Sequence, residues 1–147
     1  MPHRLPRTSR SLPIALLRAR EHVMGPMRAI LNSSGVTEQQ WRVLRVVEEN
    51  AAIDPTQISE RACLLMPSLT RILQKLEEKH LITREKHNVD RRRQMISITD
   101  EGRALIAENI DAALALAAES KQKLGPKRYD LLLDLLNELY EEPEGEH

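Results

Sequence analysis

Asp90-Arg91-Arg92-Arg93-Gln94-Met95-Ile96-Ser97-Ile98-Thr99-Asp100-Glu101-Gly102 is the stretch that decides the fold. It reads as the tip of a β-hairpin, its returning strand and the cap of a new helix. Residues 82–86 supply the outgoing strand and 94–98 the return, around a turn at 87–92. Upstream, Met66-Pro67-Ser68-Leu69-Thr70-Arg71-Ile72-Leu73-Gln74-Lys75-Leu76 is an amphipathic helix beginning at Pro67. On a helical wheel Leu69, Ile72, Leu73 and Leu76 share one narrow arc, and Ser68, Arg71, Gln74 and Lys75 project opposite. A helix with a polar, basic outer face, followed by a hairpin with a basic tip, is the layout of a winged helix-turn-helix. Such a layout puts the helix in a major groove and an arginine over the backbone or in the minor groove.

The rest of the composition fits a mainly α chain. Three aromatic residues, Trp41, Tyr129 and Tyr140, leave the core to aliphatic side chains, which favours helix over sheet. The 147 residues suit one domain. No long uncharged apolar run predicts a membrane span, and the N-terminus lacks a signal-peptide pattern, so a cytoplasmic protein is expected. One cysteine forms no internal disulfide, no His/Cys spacing suits zinc, and no cofactor is expected.

A formal charge of zero conceals an asymmetry. Residues 61–93 carry nine basic and four acidic side chains, and residues 94–147 carry five basic and twelve acidic ones. Positive charge is thus concentrated on the helix-plus-hairpin segment, where a nucleic-acid footprint would need it.

Around that segment the chain divides into further helices. Residues 1–10, with two prolines and three arginines, read as a flexible arm. Helix one is expected from Leu12 to Leu31, with Leu16, Arg20, Val23, Met27 and Ile30 along one stripe. Thr37-Glu38-Gln39-Gln40 is a capping box, with Val36 and Trp41 at the staple positions. Asp54-Pro55 opens the third helix. Thr99 caps a fifth, Ala-rich helix, and after Gly125-Pro126 the residues Tyr129, Leu132, Leu133, Leu136, Leu139 and Tyr140 stripe a sixth. The apolar faces of helices one, five and six exceed what a small winged domain covers, which implies a second subunit.

This order of elements resembles the MarR family of bacterial transcription regulators over roughly residues 12–140. The family's wing signature, Asp-x-Arg followed after five residues by Leu-Thr-x-x-Gly, reads here Asp90, Arg92, then Ile98-Thr99-Asp100-Glu101-Gly102, with Ile for Leu. Within the family the chain is similar to regulators of homoprotocatechuate (4-hydroxyphenylacetate) degradation operons. Residues Ala15 to Glu21, Thr37 to Arg42 and Arg61 to Thr70 carry that likeness. The resemblance implies a single MarR-like domain over 1–147, with dimerisation helices in 11–36 and 100–142 and the winged helix-turn-helix in 37–99. It further implies a homodimer on a palindromic operator of double-stranded DNA. Family members usually repress, and a small phenolic or aromatic acid releases the operator.

Candidate DNA contacts are Ser68, Thr70, Arg71, Gln74 and Lys75 on the recognition helix, and Asp90, Arg91, Arg92 and Arg93 on the wing. Arg92 is assigned to the minor groove, with Asp90 steadying it, and Arg91 and Arg93 to phosphates. Arg71 is the base reader, because a guanidinium can bond guanine O6 and N7 together. Candidate effector contacts are Arg20, Trp41, Arg61 and His22. Arg20 sits on an apolar stripe and needs either a protein carboxylate, with Glu21 on the wrong face, or a ligand carboxylate. Arg61 poses the same question, Trp41 reads as core or as a ligand platform, and His22 reads as a surface residue. Cys63 reads as a small buried apolar residue. Peroxide-sensing relatives carry their cysteine near the start of helix one, where this chain has none. No nucleophile elbow, phosphate loop or metal motif suggests an enzyme. The remaining alternative is a winged-helix protein-interaction module without ligand sensing, which would have little need of three consecutive arginines at the tip.

Overall fold

Each helix starts where the local chemistry can satisfy its first amides. The computed structural model describes residues 4–90 and 92–141 and contains six α-helices and one hairpin among them. These are α1 (Leu12–Ser33), α2 (Glu38–Glu48), α3 (Pro55–Ala62), α4 (Met66–Glu78), β1 (Ile82–Lys86), β2 (Gln94–Ile98), α5 (Asp100–Leu124) and α6 (Pro126–Tyr140). The capping box of α2 is closed in both directions: Gln40 N donates to Thr37 Oγ1 at 3.0 Å, and Thr37 N to Gln40 Oε1 at 3.2 Å. Asp54 Oδ1 accepts from Gln57 N at the start of α3, and Thr99 Oγ1 from Gly102 N at the start of α5. Each such cap is worth about 1 kcal/mol. Helix α4 begins at Met66, one residue before the expected Pro67, and α1 runs on to Ser33.

Helix ends are set by a repeated device. At Gly35, Cys63 and His80 the chain turns left-handed, with φ of 72°, 54° and 62°. In each case the next residue (Val36, Leu64, Leu81) donates its amide back to the carbonyl five residues earlier. These are Schellman closures, and they bring an apolar residue onto the helix that has just ended. Cys63 therefore does not fill the core as expected. Its left-handed backbone turns it outward and it is exposed.

The hairpin pairs antiparallel, with Ile82 opposite Ile98 and Lys86 opposite Gln94. Ile53, between α2 and α3, adds a short third rung by exchanging two backbone bonds with Ile96. The core lies where α2, α3, α4 and the hairpin meet the ends of α1 and α5. Leu31, Leu44, Ile58, Leu69, Ile82 and Ile96 are fully buried in it. Gly102 packs so tightly under Leu81 that an added Cβ would overlap the Leu81 carbonyl oxygen and meet Ile98 Cγ1 at 2.6 Å.

The stripes expected on the long helices divide. Met27 is buried at the lower end of α1, whereas Leu16 and Val23 are exposed, as are Leu132, Leu133, Leu136 and Leu139 of α6. Helix α6 has no buried residue in the isolated chain. Of the expected flexible arm, Thr8–Arg10 form a 3-10 turn held to α1 by Arg18 Nη2 donating to Thr8 Oγ1 at 3.4 Å.

Candidate nucleic-acid interface

The recognition helix presents its polar face as the wheel requires. Thr70, Arg71, Gln74 and Lys75 are exposed and Ser68 half-buried, while Leu69, Ile72, Leu73 and Leu76 face the core. Their states differ in ways the sequence does not reveal. Thr70 Oγ1 donates to Met66 O at 2.9 Å, so its hydroxyl hydrogen is occupied by its own helix. Gln74 and Lys75 both lean toward Glu78, at 3.5 and 3.6 Å. Arg71 has no hydrogen bond or ion pair among the described residues, leaving its planar fork free for a base edge. Helix α4 has no side-chain cap, and its front edge is formed by exposed Leu65, Met66 and Pro67.

The wing is built on backbone bonds. His87 N donates to Arg93 O, Arg93 N to Asp90 O, and His87 Nδ1 accepts from both Val89 N and Asp90 N at 3.1 Å. At the tip Asp90 Oδ1 accepts from Arg92 N at 3.1 Å and from Arg92 Nε at 3.2 Å. Those two bonds, the backbone one first, hold the Asp90 carboxyl below the usual aspartate pKa. The Arg92 side chain is nonetheless 92% exposed, a guanidinium aimed at solvent from a fixed base. Arg91 lies outside the described residues.

Arg93, expected at a phosphate, also has a partner within the chain. Its Nη2 donates to Asp54 Oδ2 at 2.7 Å, joining the wing to the cap of α3. The Gln57 amide, and then Arg93, hold the Asp54 carboxyl below its ordinary value. On the other strand Arg84 reaches back to Glu77 of α4 with two bonds, at 2.7 and 3.1 Å, and lowers the Glu77 pKa. Wing and recognition helix are thereby set at a defined distance from each other.

The four candidate effector residues are not gathered together. Arg20 Nη2 donates to Glu38 Oε1 at 3.1 Å, at the very start of α2. Glu21 is not out of reach, as the wheel suggested, but stands 3.6 Å from Arg20 Nη1. Arg28 completes the group with two bonds to Glu21, at 2.7 and 2.9 Å, and one to Glu38 at 3.4 Å. Partial burial opposes charge on Glu38, but Arg20 and Arg28 outweigh it and hold its pKa below the ordinary value. The sequence shows Glu38 only as a member of the capping box, an acid at the first position of a capped helix, and gives no sign that it pairs with Arg20 and Arg28. Trp41, one turn beyond Glu38, is buried, and His22 is exposed. Arg61 bonds Asn50 Oδ1 at 3.1 Å, past the far end of α2 and on the order of 15 Å from the Arg20 pair.

Comparison with known proteins agrees with this geometry. A profile described as the MarR family matches residues 36–93, from the start of α2 to the tip of the wing. The HTH-type transcriptional regulator FarR of Neisseria gonorrhoeae is 41% identical over 132 residues, 88% of either chain. The chain belongs to the MarR family. The homoprotocatechuate degradative operon repressor of Escherichia coli is 46% identical over 95 residues, 65% of this chain and 64% of the repressor. Among solved MarR-type neighbours, NadR in complex with 4-hydroxyphenylacetate is 37% identical with a TM-score of 0.85, covering 97% of this chain and all of NadR. Another, 28% identical, is bound to a 23-mer DNA duplex. This MarR protein is therefore a transcriptional regulator with a winged helix-turn-helix, and aromatic ligands occur among its homologues. No helix of the described residues is long and apolar enough to cross a membrane.

Proposed function

We propose that this regulator is a homodimeric repressor of an aromatic-acid catabolic operon, acting on a palindromic operator in the cytoplasm. A small phenolic or aromatic acid releases it. The observation that carries the DNA side is the pairing of two unlike arginines. Arg71, on a helix face that fits a major groove, has no partner among the described residues, and Arg92 is anchored at its base and exposed at its tip, as a minor-groove contact requires. Ser68, Thr70, Gln74 and Lys75 share the reading face, Asp90 steadies Arg92, and Arg91 and Arg93 contact phosphates, Arg93 through the part of its guanidinium that Asp54 does not engage. The dimer is supported by the exposed leucines of α6, too continuous a ridge for a monomer's surface.

The effector side rests on the likeness to the Escherichia coli repressor and to the 4-hydroxyphenylacetate complex of NadR. Arg20 is the proposed carboxylate contact, close to the turn that carries Trp41, with His22 on the same helix and Arg61 as the alternative anchor.

The test is enrichment of a duplex from random DNA, followed by titration at several salt concentrations with and without 4-hydroxyphenylacetate. If a dimer neutralises about 6–10 phosphates, affinity falls roughly 10³–10⁵-fold between 50 and 200 mM salt. A recovered site without two-fold symmetry, or an affinity indifferent to salt, contradicts the operator reading. An affinity indifferent to every aromatic acid tried contradicts the effector reading.

A further inference from the structure

The recognition helix is tied to the hinge between α1 and α2. Lys79 follows directly on α4, and its Nζ donates to Gly35 O at 2.7 Å and to Gln40 Oε1 at 3.2 Å. Lys79 is rigidly part of α4, since its own amide donates to Lys75 O and the Schellman closure at His80 and Leu81 follows at once. Gly35 is the residue where the chain leaves α1 for α2, at a φ of 72°. Gln40 is buried and its Oε1 also accepts from Thr37 N. One ammonium thus joins the foot of the recognition helix to the carbonyl of the hinge glycine and to the capping box of the next helix.

The hinge is already fixed from its other side. Ser34 Oγ exchanges hydrogen bonds with the buried Asn109 of α5, at 2.9 and 3.2 Å. Leu31 and Val36 also pack there, but apolar packing is not directional and controls separation better than rotation. Rotation about Gly35 is restrained by the backbone bonds that close α1 around it and by the one Lys79 bond to its carbonyl. A thirteen-residue helix is about 20 Å long, so a swivel of about 10° at its foot carries its reading end roughly 3.4 Å, one base-pair step.

We propose that Lys79 is the positioning residue that sets the angle of the recognition helix against the long helices, and through it the half-site spacing the dimer accepts. The proposal rests on the dimer-on-palindrome reading above. Lys79 acts here through Gly35 and Gln40 and touches no base.

The test uses the full-length protein and the enriched operator, together with versions carrying one base pair more or less at the dyad. One base pair turns a half-site by about 35° and moves it about 3.4 Å. Wild type is expected to lose about tenfold to a hundredfold in affinity for either change, comparable to a mismatch, and Lys79→Met at most about threefold. Lys79→Arg, which keeps the donors, restores the discrimination. Gln40→Glu keeps the capping box and gives Lys79 a charged acceptor, so it discriminates at least as sharply as wild type. This variant also decides the matter should Lys79→Met not fold. The proposal is overturned if folded Lys79→Met discriminates like wild type, if it loses affinity equally at all spacings as a phosphate contact would, or if Gln40→Glu discriminates less. A wild type indifferent to spacing removes the palindrome reading and this role with it, whereas a normal wild type beside a normal Lys79→Met removes only this role.

Discussion

Arg92 hangs from a single oxygen of Asp90, which accepts its backbone amide at 3.1 Å and its Nε at 3.2 Å. The arrangement explains why the wing signature needs an acid two residues before the arginine. A residue at i+2 can offer both donors to one carboxylate oxygen, and the turn and the guanidinium are then oriented together. Asp90→Ala should therefore weaken DNA binding about as much as Arg92→Ala, on most sequences alike, because the minor groove carries a degenerate code. The double variant should be little worse than either single one. Additive losses in a titration cycle would mean that Asp90 does not act through Arg92. The carboxyl is held below its ordinary value by the Arg92 amide first and the guanidinium second. A depressed carboxylate contributes above its unfolded pKa, about 3.9, and is lost as pH falls through the lower folded value. Side-chain carboxyl NMR should thus show Asp90 still ionised at a pH where an unrestrained aspartate is half protonated.

Gly102 has no room for a side chain. A Cβ there would overlap the Leu81 carbonyl oxygen and crowd Ile98 Cγ1 at 2.6 Å, and backbone cannot yield as a flexible side chain can. Gly102→Ala should destabilise the protein by about 1–3 kcal/mol despite the better helix propensity of alanine. Urea unfolding measures this. A loss under about 0.5 kcal/mol would contradict the close approach of α5 to the turn before β1.

Arg20→Met separates the two roles open to Arg20. Its bond to Glu38 is 3.1 Å long, but Arg28 also reaches Glu38 at 3.4 Å, so the junction of α1 and α2 keeps one tie in the variant. The variant should fold and bind operator while losing the response to 4-hydroxyphenylacetate, read as quenching of the lone Trp41 and as loss of operator affinity. By linkage, DNA should weaken wild-type ligand binding by the factor with which ligand weakens DNA binding, commonly about 5–150-fold. An unfolded variant makes Arg20 a structural ion pair. A variant that responds like wild type moves the carboxylate contact elsewhere, with Arg61 next in line.

Much of the architecture is written in short-range patterns. The caps at Thr37, Asp54 and Thr99 are each satisfied by an amide three residues on. The strands 82–86 and 94–98 follow from a charged turn between two apolar-containing runs, and the outer face of α4 from the spacing of its leucines and isoleucine. A side chain and an amide three residues apart, or two apolar residues three and four apart, can meet whatever the rest of the chain does. Such features are therefore legible without a structure. The wing signature belongs to the same class, and with it the family.

Other features were decided only when distant segments packed. Cys63 looked like core, yet α3 must close left-handed before α4 can start, and that turns it outward. The partner of Arg93 within the chain is not visible in the sequence: the Ile53–Ile96 bridge brings β2 alongside the cap of α3 and puts Arg93 2.7 Å from Asp54. Glu38 reads in the sequence as part of a cap, yet it holds Arg20 and Arg28 across a helix junction, and Lys79 finds Gly35 and Gln40 some forty residues away. For these pairs the partner is chosen by where two helices come to rest, and an arginine or lysine takes the nearest acceptor within reach of its long stem. The sequence by itself determined which side chains are charged and which helix faces are exposed. The packing of the helices determined which of those charges are already engaged within the chain.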